Sequence, residues 1–240
     1  FNDLEEIKRL FSNKTIRLDE EVNYTYGDIM SMFLKDGVQA EGFSNLEFRE
    51  FLRTRLDDFT PDFILIDGHE PELSKETLKK YPSAISVIDA GRPKKEVIEL
   101  CYLVNYLVCS KEFAEQVSGI KVDYDDLTTI TDIYNYLKNE FKNNVVITLE
   151  DKGCVYEQEG DIKIMSSLKV KALDSTGAGD IYHGAFMYGL TQNFDIEKVV
   201  SYANLAGAIS VTRVGGRYSI PTLEEVNSKY ASLKWFNIYW

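Results

Sequence analysis

Short apolar runs alternate with helical patterns through the larger part of the chain, and this alternation constrains the fold more than any other feature. Residues 63–67, 85–89, 106–109 and 145–149 each have the length and β-branched content of a buried strand. Helical spacing of apolar residues separates them. The sequence therefore predicts an α/β fold in which helices cover both faces of a mostly parallel sheet.

The remaining predicted elements follow the same rhythm. Residues 154–165 indicate a β-hairpin around Glu159 and Gly160. Predicted helices occupy residues 75–80, 94–101, 111–117, 130–141, 177–190 and 196–211. Because open α/β sheets bind ligands beyond the carboxyl ends of their strands, we expect the chemistry in the segments that follow those strands.

The charge balance excludes some classes of partner. The 240 residues include 39 acidic and 27 basic side chains, which gives a net charge of −12. Binding a nucleic-acid backbone or an anionic membrane needs clustered Lys and Arg, so we expect neither partner. No apolar run approaches the roughly 20 residues of a membrane-spanning helix.

The three cysteines indicate a reducing compartment. Cys101, Cys109 and Cys154 are an odd number without C-x-x-C spacing, and the first two lie in an apolar stretch. We therefore expect buried free thiols and a cytoplasmic protein. We expect no metal site built on these cysteines, because His69 and His183 have no neighbours in a ligand-like pattern.

The segment from Asp174 to Asp180, Asp-Ser-Thr-Gly-Ala-Gly-Asp, carries the clearest chemical signal. Gly177, Ala178 and Gly179 would place small residues at a helix start, where free N–H groups and the helix dipole attract a phosphate. Ser175 or Thr176 would cap that helix. Asp180 would then lie beside the bound anion, where a carboxylate makes sense as a base that accepts a proton from an attacking hydroxyl.

A structural interpretation of the same residues is also open. Gly177, Ala178 and Gly179 would then form only a tight start of a helix. Asp180 would interact only with the positive end of the helix dipole.

The segment resembles the D-x-x-G-A-G-D signature of the ribokinase-like (PfkB) carbohydrate kinase family. Four other segments resemble family motifs in the same order: residues 88–92 (D-x-N-x-R), 108–114 (N-x-x-E), 146–153 (V-T-L-G-x-x-G) and 203–221 (the C-terminal helix and loop). The resemblance covers roughly residues 60–226. It implies a three-layer α/β/α sandwich with a mostly parallel sheet, to which a small β lid can be added.

The resemblance also implies roles for individual residues. Asp180 would be the general base, and Gly177, Ala178 and Gly179 would form an anion hole for the phosphoryl group. The residues that would line the nucleotide are Ser110, Thr148, Gly153 and Asn204. The residues that match positions holding a potassium ion in family members are Asp174, Thr176, Gly215 and Ser219. Mg²⁺ would arrive with ATP.

The function implied by the resemblance is ATP-dependent phosphorylation of a sugar hydroxyl, with the sugar and ATP as partners. A nucleoside kinase of the same fold is one alternative. A non-catalytic member that binds a sugar or nucleotide is another, because two positions depart from the family pattern. Phe113 replaces the acidic residue of N-x-x-E, with Glu112 one residue away, and Glu150 replaces the Gly of T-L-G.

The front of the chain also differs from the family pattern. No strand with a Gly-Gly-Asn segment precedes residue 60, and the first residue is Phe1. We therefore expect residues 1–240 to form a single kinase domain that lacks the front of the family fold. Residues 20–45 would supply part of a lid through which two copies pair.

Overall fold

The computed structural model describes residues 60–233. These residues belong to the second of two compact units of the chain, Asp58–Trp240. The predicted lid at residues 20–45 lies outside the described residues.

Within residues 60–233, six strands form one sheet in the order in which they occur in the sequence. The first four strands are parallel, and the last two run antiparallel to their neighbours. Their bounds are β1 Phe63–Ile66, β2 Ile85–Ala90, β3 Tyr106–Ser110, β4 Asn144–Thr148, β5 Cys154–Gln158 and β6 Asp161–Met165. The hairpin of β5 and β6 turns at Glu159 and Gly160, as the sequence predicted, and both residues have positive φ.

Seven helices are described, and a short 3₁₀ helix at Glu150–Lys152 follows β4. The helices are α1 Pro71–Lys80, α2 Lys95–Cys101, α3 Lys111–Ser118, α4 Thr128–Phe141, α5 Ala178–Thr191, α6 Ile196–Ser210 and α7 Leu223–Leu233. The first six correspond to the predicted helices, although α1 begins earlier, with a proline in its first turn. Helix α7 was not among the predicted helices.

Alternate residues of the central strands bury opposite faces of the sheet. Ile88 and Leu107 point into a core with α1 to α4, whereas Val87 and Val108 point into a core with α5 and α6. All four side chains are fully buried. The period of two along each strand places one core on either side of the sheet, which confirms the predicted α/β/α layering.

The predicted thiol environment is also confirmed. Cys101, Cys109 and Cys154 are free and buried. Burial raises the pKa of Cys101 to about 12 and that of Cys154 to about 11, so both thiols stay protonated at neutral pH. Within residues 60–233, every helix is too short or too polar to cross a bilayer.

Candidate active site

The beginning of α5 lies at the edge of the sheet where the parallel strands have their carboxyl ends. Asp67 follows β1, and Asp89 lies near the end of β2. Ser110 and Thr148 end β3 and β4 and are paired in register. His183, in the second turn of α5, contacts Asp89 and the main chain of β3, which brings the start of α5 to this edge. The position agrees with the general rule for ligand sites in open α/β sheets.

The first turn of α5 is open to a ligand. Gly177 precedes the helix with φ of 75°, a left-handed conformation that glycine adopts without strain. Among the described residues, no side chain caps α5, so the expectation that Ser175 or Thr176 would cap it is wrong. The Thr176 amide instead donates to Asp174 Oδ1 at 2.9 Å, because the chain turns before the helix begins. Asp180 is exposed in the uncapped first turn.

The amides of this turn are not equivalent. The Ala178 amide already donates to the Ser175 carbonyl at 3.1 Å. An anion at this helix end would therefore share the Ala178 amide with that carbonyl, and would depend more on the neighbouring amides of Gly177 and Gly179. Those two glycines present no side chain that would block its approach.

Two loops that contain the residues predicted to hold a potassium ion meet beside the same turn. Asp174 Oδ2 accepts a hydrogen bond from the Gly215 amide at 2.8 Å. The Ser219 amide donates to the Gly215 carbonyl at 2.9 Å, and Ser219 is buried. Hydrogen bonds from Gly215 and Thr176 lower the pKa of Asp174, so its carboxylate is ionised at neutral pH. The structure thus gathers Asp174, Thr176, Gly215 and Ser219.

The four residues predicted to line a nucleotide are connected across the sheet. Thr148 lies opposite Ser110 on one side and opposite Cys154 on the other. Asn204, from α6, donates through Nδ2 to Cys154 Sγ at 3.5 Å. Gly153 immediately precedes Cys154, with φ of 105°. The sheet therefore brings Ser110, Thr148, Gly153 and Asn204 into one neighbourhood.

Several of these residues also have structural roles. The Ser110 hydroxyl accepts from the Phe113 amide at 3.0 Å and so caps α3. The Thr148 hydroxyl donates to the Cys109 carbonyl at 3.3 Å. These bonds fix the orientation of both hydroxyls at the end of the sheet.

The two departures from the family pattern have different environments. Phe113 is fully buried in the core under α3, whereas Glu112 is exposed, with Oε1 3.8 Å from Arg92 Nε. The neighbouring positions thus face in different directions, as the rotation of about 100° per helical residue requires.

Glu150 has φ of 56°, and its carboxylate accepts from Lys111 Nζ at 3.1 Å. The lysine offsets the negative charge that the glutamate adds beside the candidate nucleotide site.

Asp89 and His183 form a pair that the sequence analysis did not identify as functional. His183 Nδ1 lies 3.1 Å from Asp89 Oδ2, and the His183 side chain is 6% exposed. Burial raises the pKa of Asp89, and the negative charges of Asp180 and Asp67 act in the same direction, whereas His183 opposes them. The available signals were the family-like segment around Asp89 and the position of His183 three residues after Asp180.

The layered α/β fold agrees with the comparison with known sequences. The sequence profile of the pfkB family carbohydrate kinases matches residues 73–223, which is more than half of the chain. The chain therefore belongs to that family, and the resemblance found in the sequence is confirmed.

Individual relatives support the same assignment. A ribokinase of Staphylococcus aureus is 31% identical over 156 residues, which cover 65% of this chain and 51% of the relative. The crystal structure of a ribokinase from Thermotoga maritima is 28% identical with a TM-score of 0.61, and the match covers 73% of this chain and 59% of that chain. The chain thus spans about half the length of the curated relative.

A more distant structure shares the fold. A putative ribokinase II from E. coli, solved in complex with ATP and Mg²⁺, is 21% identical with a TM-score of 0.61. The match covers 75% of this chain and 61% of that chain. These similarities confirm the predicted ribokinase-like α/β fold.

Proposed function

We propose that the protein transfers the γ-phosphoryl group of ATP to a sugar hydroxyl. The observation that carries the proposal is Asp180, an exposed carboxylate in the uncapped first turn of α5, beside the carboxyl ends of the parallel strands. Membership of the pfkB carbohydrate kinase family supports it. The ribokinase relatives favour a sugar as the acceptor.

In the proposed reaction, Asp180 accepts the proton of the sugar hydroxyl. The sugar oxygen forms a bond to the γ-phosphorus while the bond from that phosphorus to the bridging oxygen breaks, and ADP leaves. The amides of Gly177, Ala178 and Gly179 stabilise negative charge on the phosphoryl group during transfer. The Gly179 amide lies in the first turn of α5, so its direction is fixed before the substrate arrives, which is the condition under which such stabilisation is effective.

The nucleotide would be held by Ser110, Thr148, Gly153 and Asn204, which the sheet and α6 bring together. Mg²⁺ bound to ATP would supply further neutralisation of phosphate charge. Asp174, Thr176, Gly215 and Ser219 would hold a potassium ion beside the turn. The ionised carboxylate of Asp174, together with carbonyl oxygens of the two loops, suits a hard monovalent cation.

The proposal is tested by measuring ADP release from the full chain with Mg·ATP and a panel of ketoses, aldoses, sugar acids and nucleosides. We expect turnover with a sugar, and a loss of kcat of roughly a thousandfold in Asp180→Asn. The matched control is Asp195→Asn, which changes a carboxylate at the start of the neighbouring helix α6. Because asparagine also caps helices well, that variant should keep full activity.

The outcomes separate the alternatives. Turnover of nucleosides alone would identify a nucleoside kinase of the same fold. Calorimetric binding of a sugar or nucleotide without any turnover would identify a non-catalytic binding protein. Full activity in Asp180→Asn would exclude the proposed base.

A further inference from the structure

Both ring nitrogens of His183 face hydrogen-bond acceptors. Nδ1 lies 2.7 Å from the Gly179 carbonyl oxygen and 3.1 Å from Asp89 Oδ2. Nε2 lies 3.2 Å from the Val108 carbonyl oxygen. A carbonyl oxygen cannot donate, so each nitrogen makes its hydrogen bond only if it carries a proton. A ring that carries a proton on both nitrogens would satisfy all of these acceptors.

The electrostatic surroundings fit that state. Asp89 offers a carboxylate to the ring, and its side chain is 22% exposed, against 6% for His183. Asp180 on α5 and Asp67 after β1 add negative charge near Asp89. His69, after β1, is the further titratable group that acts on Asp89, and its ring contacts Asp67 at 2.8 Å. A charged His183 would reduce the repulsion among these carboxylates and towards an anionic substrate.

The contacts of His183 join three elements of the site. Asp89 in β2 and Val108 in β3 are partners in the parallel register, so His183 lies across two adjacent strands. Its third contact is the carbonyl of Gly179, which immediately precedes Asp180 in the chain. One side chain thus connects the sheet edge to the turn that carries both the candidate base and the anion-binding amides.

We propose that His183 is a positioning residue whose doubly protonated ring, paired with the Asp89 carboxylate, holds the first turn of α5 against β2 and β3. The positioning role rests on the proposed kinase function. His183 does not touch the reacting atoms in this proposal. It fixes Asp180 and the amides of Gly177 and Gly179 relative to the strands that bind the nucleotide.

The protonation state can be tested without any assay of activity. The chain contains two histidines, so the ring ¹⁵N signals of histidine-labelled full-length protein are few, and His69→Gln assigns them. We expect His183 to show two protonated ring nitrogens, because both face hydrogen-bond acceptors. We expect Asp89→Asn to convert it to a singly protonated ring. An unprotonated nitrogen in the wild-type His183 ring would overturn the proposal.

The positioning role is tested by steady-state kinetics of His183→Phe and Asp89→Asn. Misplacement of the base and of the amides should lower kcat by roughly tenfold to a hundredfold. KM for Mg·ATP should change by less than about threefold, because the polar contacts of His183 are with Gly179, Asp89 and Val108 and not with the residues proposed to line the nucleotide. Phe186→Leu, a buried change one turn further along α5, is the control, and it should reduce stability without that loss of kcat.

Failure of the two proposals can be distinguished. If the wild-type protein turns over no sugar but His183 shows two protonated nitrogens, the kinase assignment fails and the charged pair stands. If the wild type is active and His183→Phe keeps its kcat, the positioning role is wrong. If His183→Phe does not fold, Asp89→Asn provides the same kinetic comparison, and unchanged kcat there would also contradict the proposal.

Discussion

Among the described glycines, Gly153 is the position at which the fold most strictly excludes any side chain. A Cβ atom there would lie 1.9 Å from the Met165 carbonyl oxygen, and φ is 105°. The Met165 atom belongs to the backbone of β6 and cannot rotate away. Gly153 therefore allows the loop after β4 to pass close to β6, in addition to its predicted place beside the nucleotide.

We expect Gly153→Ala to lower the free energy of unfolding by about 3 kcal/mol or more, from backbone strain and the clash together. Gly160→Ala is the matched control, because Gly160 also has positive φ but has nothing within 4 Å of the added Cβ. It should cost only about 1 kcal/mol. Urea unfolding followed by circular dichroism measures both. Equal losses would show that the loop moves away from β6.

The residues of the site differ in how far the sequence could predict them. Gly177, Ala178, Gly179 and Asp180 are consecutive, so one local pattern placed them at a helix start. The pairing of Asp89 with His183 joins β2 to α5, and no local pattern predicts a contact between such distant segments. The capping error at Ser175 and Thr176 has a local cause, because the helix begins only after Gly177, and the Ala178 amide donates to the Ser175 carbonyl.

At the scale of elements, α7 was missed although its beginning carries a recognisable signal. Thr222 and Glu225 form a capping box: the Thr222 amide donates to Glu225 Oε2 at 2.8 Å, and the Glu225 amide donates to Thr222 Oγ1 at 3.2 Å. Only a narrow part of α7 is apolar, with Val226 buried against α6. Its periodicity is therefore weaker than that of the helices that cover the sheet.

The carboxylates of Asp174 and Glu225 accept hydrogen bonds from the loop between α6 and α7 and so stabilise it. Hydrogen bonds from the Gly215 amide and from Thr176 lower the pKa of Asp174. A hydrogen bond from the Arg213 side chain lowers the pKa of Glu225, and a hydrogen bond from the Thr222 amide has a smaller effect in the same direction. Because both pKa values are lower in the folded state, the stabilisation is complete above the unfolded values of about 4 and is lost as the pH falls through the folded ones.

We therefore expect Asp174→Asn and Glu225→Gln to destabilise the protein at neutral pH and to have little effect once the pH has fallen below the lowered pKa values of the folded state, where the wild-type carboxylates are themselves protonated. Urea midpoints at several pH values measure the difference from the wild type. Asp132→Asn, an exposed change on α4, is the reference for a general effect of removing one negative charge. A destabilisation that stayed constant in acid would show that the carboxylate charge is not responsible.

At the scale of the whole molecule, the layering was predictable but the strand order was not. Parallel strands with helices on both faces are buried on both sides, so they occur in the sequence as continuous apolar runs. The order of the strands depends on backbone pairing between segments separated by whole helices. The sequence does not encode that pairing locally, and the register of β2 with β3 is visible only in the structure.

The net charge of −12 repels an anionic nucleotide at long range. In the proposed function, an anionic nucleotide must approach an acidic protein, where it is held by helix-start amides and by cations. Long-range repulsion is screened by salt, with a Debye length of about 10 Å at 0.1 M, whereas contacts inside the site are screened much less. Moderate salt should therefore help binding.

We expect the affinity for Mg·ADP, measured by calorimetry at constant excess Mg²⁺, to rise about twofold to threefold when choline chloride is increased from low ionic strength to about 0.1 M. Choline avoids a contribution from the proposed potassium site. Adenosine, which carries no charge, is the control, and its affinity should not change. A fall in Mg·ADP affinity with salt would mean that positive charge near the site outweighs the acidity of the whole chain.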